Sequence, residues 1–353
     1  MSNVSIVIVL GAGASKEFGL PTGAELKARI SEFTDIRFEN ASRLVRGDVR
    51  TVSALRRMAD QASLGRNINP YLEAGWAIRD NMPLAPSIDN FLDTRRDNRF
   101  LVDFGKLAIA GCILDAESNS KLYVDKGNVK NVPHFDSLSS TWLGQMFTIL
   151  VAGRTLSDFL DRLDTVAFIS FNYDRCVHQF FWYAVRSYFS ISDEEAKRAM
   201  ACLHIIYPYG NVSDFEPQFQ GFTNFGSVPE RLEEVAPLVR TFTEGSDSGF
   251  STDVAAMFES ARLVFFLGFG FLPLNMKLLL SGQMYEVEGV YATGKGLSKS
   301  SRRLINNEIR QSFKQRIMKA GYVGELSEDR VSIEDISCAD LVFEYQRLLL
   351  GAP

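Results

Sequence analysis

The chain has 353 residues, 46% of them hydrophobic and 23% charged, a balance that excludes a mostly disordered polypeptide. Thirty-eight Lys and Arg against 43 Asp and Glu leave a net charge of −5, so the whole chain carries no nucleic-acid-binding charge signature, although a local basic patch stays open. The length predicts about two domains, or one large α/β domain with insertions, and 27 Phe are enough to build a large core.

The first predicted element is the apolar run Val4–Leu10, which stops at Gly11-Ala12-Gly13-Ala14-Ser15. No basic leader precedes it, so a cytoplasmic protein without a signal peptide is expected. Four similar runs follow. Val166–Phe171 stops at Asn172-Tyr173-Asp174, and Cys202–Ile206 precedes Tyr207-Pro208-Tyr209-Gly210. Leu263–Leu267 stops at Gly268-Phe269-Gly270, and Gly289–Ala292 precedes Thr293-Gly294. Short apolar runs without alternation read as strands buried on both faces, the pattern of a parallel sheet. Such sheets bind ligands beyond the carboxyl ends of their strands, where these polar and glycine-rich tails collect.

About 150 residues separate the first run from the second, too many for a single crossover. Apolar spacing predicts helices at Gly23–Phe33, Arg50–Ala62, Ile88–Leu92 and Phe104–Glu117. Residues 31–154 are therefore expected to be a helical module inserted into a core made of 1–30 and 155–297. Residues 298–353 are expected to form a C-terminal helical tail. It includes most of the basic stretch Lys295–Lys319, then the acidic stretch Glu325–Asp340 and a final helix, Leu341–Leu350. The predicted fold class is α/β, a Rossmann-like parallel sheet with helices on both faces, the insertion and C-terminal helices.

The longest uncharged apolar run, Leu263–Leu274, has 12 residues, against the ~20 that a membrane span needs. Cys112, Cys176, Cys202 and Cys338 are scattered without a Cys-x-x-Cys pair, so neither a zinc site nor a disulfide framework is expected.

The turn Gly11–Ser15 follows a strand and leads into a helix. Its glycines allow close approach of a diphosphate, and a helix N-terminus offers free N–H groups. The third glycine of the usual dinucleotide fingerprint is missing, so by itself Gly-x-Gly reads equally well as a tight turn.

The continuation is more specific. Gly11-Ala12-Gly13-Ala14-Ser15 followed by Phe18-Gly19-Leu20-Pro21 resembles the opening NAD-binding loop of the sirtuin family. Phe171-Asn172-Tyr173-Asp174 resembles the sirtuin segment with the catalytic Asn and a following Asp. Gly268-Phe269-Gly270 with Asn275 is similar to the late glycine-rich loop that contacts the nicotinamide-side ribose and adenosine. The resemblance covers roughly 1–25 and 165–295. Two departures set the chain apart from protein deacylases: the zinc module is missing, and Leu20-Pro21-Thr22-Gly23 replaces the Ile-Pro-Asp-Phe-Arg type of segment. Shorter sirtuin-like proteins of bacterial anti-phage systems share these departures, and Ser87-Ile88-Asp89-Asn90-Phe91-Leu92 looks like a stretch found in them.

The resemblance implies a triggered NAD⁺ hydrolase that releases nicotinamide, often within an assembly containing a HerA-like ATPase or an Argonaute-type partner. NAD⁺ is then substrate, and its site is expected at Gly11, Ala12, Gly13, Ala14, Ser15, Phe18, Pro21, Asp89, Asn172, Asp174, Gly268, Phe269, Gly270, Asn275 and Thr293. Asn172 suits the chemistry: its carbonyl can hold a water while its amide grips a ribose hydroxyl. Its bland reading is a turn residue closing a strand. Asp174 is expected to support the loop, and Asp89 to be a helix N-cap or a ribose or water contact. Where the family usually has His, Tyr207 stands three residues before Gly210. Tyr207 lies nearer the strand's carboxyl end and is placed in the site, with His204, the other catalytic candidate, expected inside the sheet. A phenol with a reference pKa of ~10 makes a poor base, which keeps open a second function, a catalytically silent NAD- or ADP-ribose-binding scaffold. His134 and His178 carry no motif. An always-active NAD⁺ hydrolase would drain its own cell, so gating by a homo-oligomer or a partner chain is expected. The basic stretch reads as a solvated face, a partner or nucleic-acid surface, or a mate for the acidic stretch.

Overall fold

The computed structural model describes residues 4–40, 42–125, 127, 131–213, 222–247, 249–280, 285–315 and 324–351. The five expected strands are β1 (Ile6–Leu10), β2 (Val166–Ser170), β3 (His204–Ile206), β4 (Leu263–Leu267) and β5 (Gly289–Thr293), and a sixth, β6 (Val331–Glu334), joins them. Their order across the sheet is β6-β5-β4-β1-β2-β3, and every pairing is parallel. Read from β3, this is the 3-2-1-4-5-6 order of the Rossmann-like doubly wound fold, whose winding reverses between β1 and β4.

The unbroken apolar runs have a simple cause. Successive side chains of a strand point to opposite faces. On β1, Val7 and Val9 enter one core, and Ile6, Ile8 and Leu10 enter the other. None of the five is more than 1% exposed, so both faces are covered and every position has to be apolar. Helices Gly23–Phe33, Val49–Gln61, Asn69–Asn81, Arg99–Ser118 and Phe250–Ser260 supply side chains to the first core. Trp142–Val151, Leu156–Asp164, Cys176–Phe189 and Cys338–Glu344 supply the second.

Two expectations about organisation change. The segment 31–154 does not stand apart as a module, because its helices up to Ser118 pack on one face of the sheet and Trp142–Val151 packs on the other. Nor is the C-terminal segment only helical, since β6 extends the sheet from β5. Val331-Ser332-Ile333-Glu334 is half polar and sits in an acidic stretch, a pattern tolerated because an edge strand is less completely covered.

The basic stretch becomes a helix, Lys299–Ser312, and a short strand, Phe313–Gln315; residues 316–319 lie outside the described residues. Arg302 reaches Asp335 at 3.6 Å and Arg310 reaches Glu328 at 3.5 Å, so basic and acidic stretches pair within the chain. The final helix is two, Cys338–Glu344 and Gln346–Gly351. Among the described residues no helix is long and apolar enough to cross a membrane.

Candidate functional site

The carboxyl ends of β6, β5, β4, β1 and β2, five neighbours in the sheet, open onto one cavity of about 690 Å³. It straddles the switch point between β1 and β4. Gly11, Ala12, Gly13, Pro21, Asp89, Asn172, Asp174, Gly268, Phe269, Gly270, Asn275 and Thr293 all line it, drawn together from well-separated stretches of chain. Ala14, Ser15 and Phe18 do not line it and stand behind its wall. The Ala14 carbonyl accepts the Trp142 indole N–H at 2.9 Å, and Phe18 meets the Trp142 ring edge to face.

The glycines are needed first for the fold. Gly13 N–H donates to the Gly268 carbonyl at 3.0 Å, and Gly11 N–H to that of Leu267 at 3.0 Å. A Cβ on Gly268, whose φ is +58°, would lie 2.0 Å from the Ala14 nitrogen. One on Gly11 would lie 2.6 Å from the Gly268 oxygen. The two turns thus cross backbone against backbone, and only glycine permits the approach. Thr293 steadies the crossing by accepting the Gly268 N–H on its Oγ1 at 2.7 Å. Gly270 alone of this set is exposed, with nothing near its missing Cβ.

Asn172 lies beside this crossing and is buried. Its Nδ2 donates to the Gly11 carbonyl and to Ser15 Oγ, both at 2.9 Å. The Gly11 oxygen can only accept, so the nitrogen end of the amide has to face it. Both amide hydrogens are engaged, which corrects the expectation that the amide grips a ribose hydroxyl. Oδ1 is the polar atom left for a ligand or a water.

Ser15 extends this arrangement. Its hydroxyl accepts from Asn172 and is hydrogen-bonded to Asp174, which also takes the Cys176 N–H at 3.1 Å. Burial raises the Asp174 pKa, and these hydrogen bonds oppose the rise. Asp174 therefore supports the loop. Arg175 follows it and forms a buried ion pair with Glu117. Glu117, completely buried, also accepts the Arg175 N–H at 3.1 Å and the Gly226 N–H at 3.0 Å.

Asp89 is not the N-cap of its helix, Ile88–Asp93; Ser87 is, accepting the Asn90 N–H at 3.1 Å. The Asp89 carboxyl instead receives the Tyr173 hydroxyl. Burial pushes the Asp89 pKa up and the Tyr173 phenol up as well. Asn275 is held by Tyr209, whose hydroxyl donates to Oδ1 at 2.7 Å. Glu17, a cavity residue not foreseen, accepts the Trp142 N–H at 2.8 Å and the Ala339 N–H at 2.9 Å, one on each oxygen. Cys338 also lines the wall, its thiol pushed up to about 12 by burial and so protonated at neutral pH.

Neither Tyr207 nor His204, the two other catalytic candidates, lines this cavity. Tyr207 follows β3, one strand beyond the five, and lines a separate cavity of about 360 Å³ with Gly210, Asn211 and Arg240. Its phenol is buried, and burial together with Asp174 raises its pKa well above the usual value. His204 is half-buried at the opposite, amino end of β3, with Nε2 2.8 Å from Asp164 Oδ1. Three residues of strand separate the two positions by about 10 Å, and of the two only Tyr207 lines a cavity.

Tyr173 and Arg175 were legible only as neighbours of Asn172, and Glu117, 58 residues upstream of Arg175, carried no local signal. Among the described residues no group of three His, Cys, Asp or Glu could hold a metal ion. No protein-family model matches the chain, and no curated protein matches it. Its chemistry is therefore read from its own residues.

Proposed function

We propose that this cavity binds NAD⁺ and that the chain hydrolyses the bond between the nicotinamide nitrogen and ribose C1′. One observation carries the reading. Asn172 is locked by two hydrogen bonds with Oδ1 left over, at one end of a cavity that crosses the switch point over two interlocked glycine turns. Such a cavity suits an elongated ligand with its charged diphosphate in the middle. The nicotinamide leaves as a neutral molecule, so no general acid is needed. The chain has to hold the ribose, stabilise positive charge as the C1′–N bond opens, and aim a water at C1′. Asn172 Oδ1 can accept a hydrogen bond from that water, and Asp89 is the nearby carboxyl group, positioned by Tyr173. Held still by Ser15 and Gly11, the asparagine orders the water without paying reorganisation in the transition state.

Incubation with NAD⁺ and measurement of released nicotinamide tests this. The parent chain is expected to release it and Asn172→Ala to lose the activity by about a hundredfold or more, the scale of removing a positioned polar group in the transition state. A specific observation favours the scaffold as the second reading: among the described residues no histidine lines the cavity. If parent and variant bind ADP-ribose but neither releases nicotinamide, even with partner and trigger present, the scaffold reading holds. The resemblance extends the proposal to anti-phage defence with activity gated by self-association or a HerA-like partner. Light scattering that finds a fully active monomer at micromolar concentration would refute gating by assembly.

A further inference from the structure

The end of the cavity opposite Asn172 is made by the turns after β5 and β6. Gly294-Lys295-Gly296-Leu297 forms a tight turn closed by the Leu297 N–H on the Gly294 carbonyl at 2.9 Å, with Gly296 at φ +82°. The turn is tied to β6 by the Gly294 N–H on the Glu334 carbonyl. Lys295 is the residue at its tip, exposed and lining the cavity. Two lysines line this cavity, and they differ. Lys16 is neutralised by Glu25 at 2.5 Å, whereas among the described residues Lys295 has no ion-pair partner within 4 Å and feels the more distant Asp340.

Carboxylates near that end are already committed. Each oxygen of Glu17 holds a backbone N–H, and Asp340 closes a capping box with Ser337. Whatever the strand that carries them, a carboxylate suits the 2′-hydroxyl of an unphosphorylated ribose and a cation suits a 2′-phosphate. From β2 to β5 is three strand spacings, about 14 Å, enough to set the two ends of a dinucleotide apart.

We propose that Lys295 selects a dinucleotide whose adenosine ribose carries a 2′-phosphate, so that NADP⁺ is taken at least as well as NAD⁺. The inference rests on the NAD⁺ reading for its orientation, with the nicotinamide end at Asn172. An exposed ammonium on a phosphate is worth a modest factor that falls as salt screens it.

Calorimetry with ADP-ribose and with 2′-phospho-ADP-ribose tests it on the full chain, since neither ligand is consumed. The phosphorylated ligand is expected to bind about three- to fivefold tighter, the factor for one exposed ion pair. In Lys295→Ala the ratio of the two affinities should fall to about one, and Lys295→Glu should reverse it. Equal binding of the two ligands to the parent overturns the role of Lys295. Equal weakening of both in Lys295→Ala also overturns it, placing the ammonium on the diphosphate. If the parent binds neither ligand, the NAD⁺ reading itself falls; if it binds ADP-ribose without preference, only the selectivity does.

Discussion

At the carboxyl ends of β1 and β4 the chain is held by backbone fitted against backbone, while at the end of β2, one strand away, it is held by side chains. The glycine crossing relies on three residues having no Cβ and on two backbone hydrogen bonds, from Gly11 to Leu267 and from Gly13 to Gly268. The asparagine loop relies on Ser15, Asp174, the Tyr173–Asp89 contact and the buried Arg175–Glu117 pair. The crossing therefore cannot accept an added atom, whereas the loop is sensitive to a lost one. Asn172 joins the two regions, since it bonds Gly11 on one side and Ser15 on the other. Rigidity of the glycine turns is thereby passed to the side chain that chemistry would use.

The sharpest way to break this division is Gly268→Ala. The new methyl meets the Ala14 nitrogen at 2.0 Å in a left-handed backbone conformation. Strain and overpacking together should cost about 3–5 kcal/mol, read as a large fall in the urea midpoint or as failure to fold. Stability close to the parent would mean that the crossing yields easily and that the glycines serve only the ligand.

Ser15→Ala probes the loop and should act differently. It removes the acceptor for one Asn172 hydrogen and a hydrogen-bond partner of Asp174, at about 1–2 kcal/mol of stability. The rate of nicotinamide release should drop about tenfold with KM little changed, because Ser15 stands behind the wall and acts through Asn172. A rise in KM at unchanged kcat would show instead that Ser15 touches the substrate.

The smallest effect belongs to Asp89. Burial raises its carboxyl above the ordinary 3.8, so in the folded state it keeps its proton to higher pH than in the unfolded chain. The folded state then binds more protons, and unfolding free energy falls as pH rises from about 4 through the raised value. The contribution is fully present below the unfolded pKa and lost above the folded one. Asp89→Asn, which can still accept the Tyr173 hydroxyl, should lose less stability than the parent between pH 4 and 7. Urea midpoints across that range check this, and parallel curves would place the Asp89 carboxyl in ordinary contact with water.

Much of the frame was legible because doubly covered strands have to be apolar at every position. Leu263–Leu267 satisfies that rule outright, Val4–Leu10 and Val166–Phe171 depart from it only at Ser5 and Ser170, and each was found to within two residues. The helix Gly23–Phe33 was equally plain, closed at its start by a capping box between Thr22 and Glu25. The strand β6 escaped because its edge position permits Ser332 and Glu334, and Glu117 escaped because a buried ion pair is written nowhere in local pattern.

By itself the sequence determined five of the sheet's six strands, the glycine turns and the asparagine at the end of β2, because local backbone needs and two-sided burial leave marks on adjacent residues. Only the tertiary structure decided that Ser15 stands behind the wall, that Asn172 offers its carbonyl, and that Tyr207 belongs to a neighbouring cavity. Those outcomes depend on which strands are neighbours in the sheet. Hydrogen bonds and ion pairs form between groups close in space, and their partners here lie 58 to 161 residues apart along the chain.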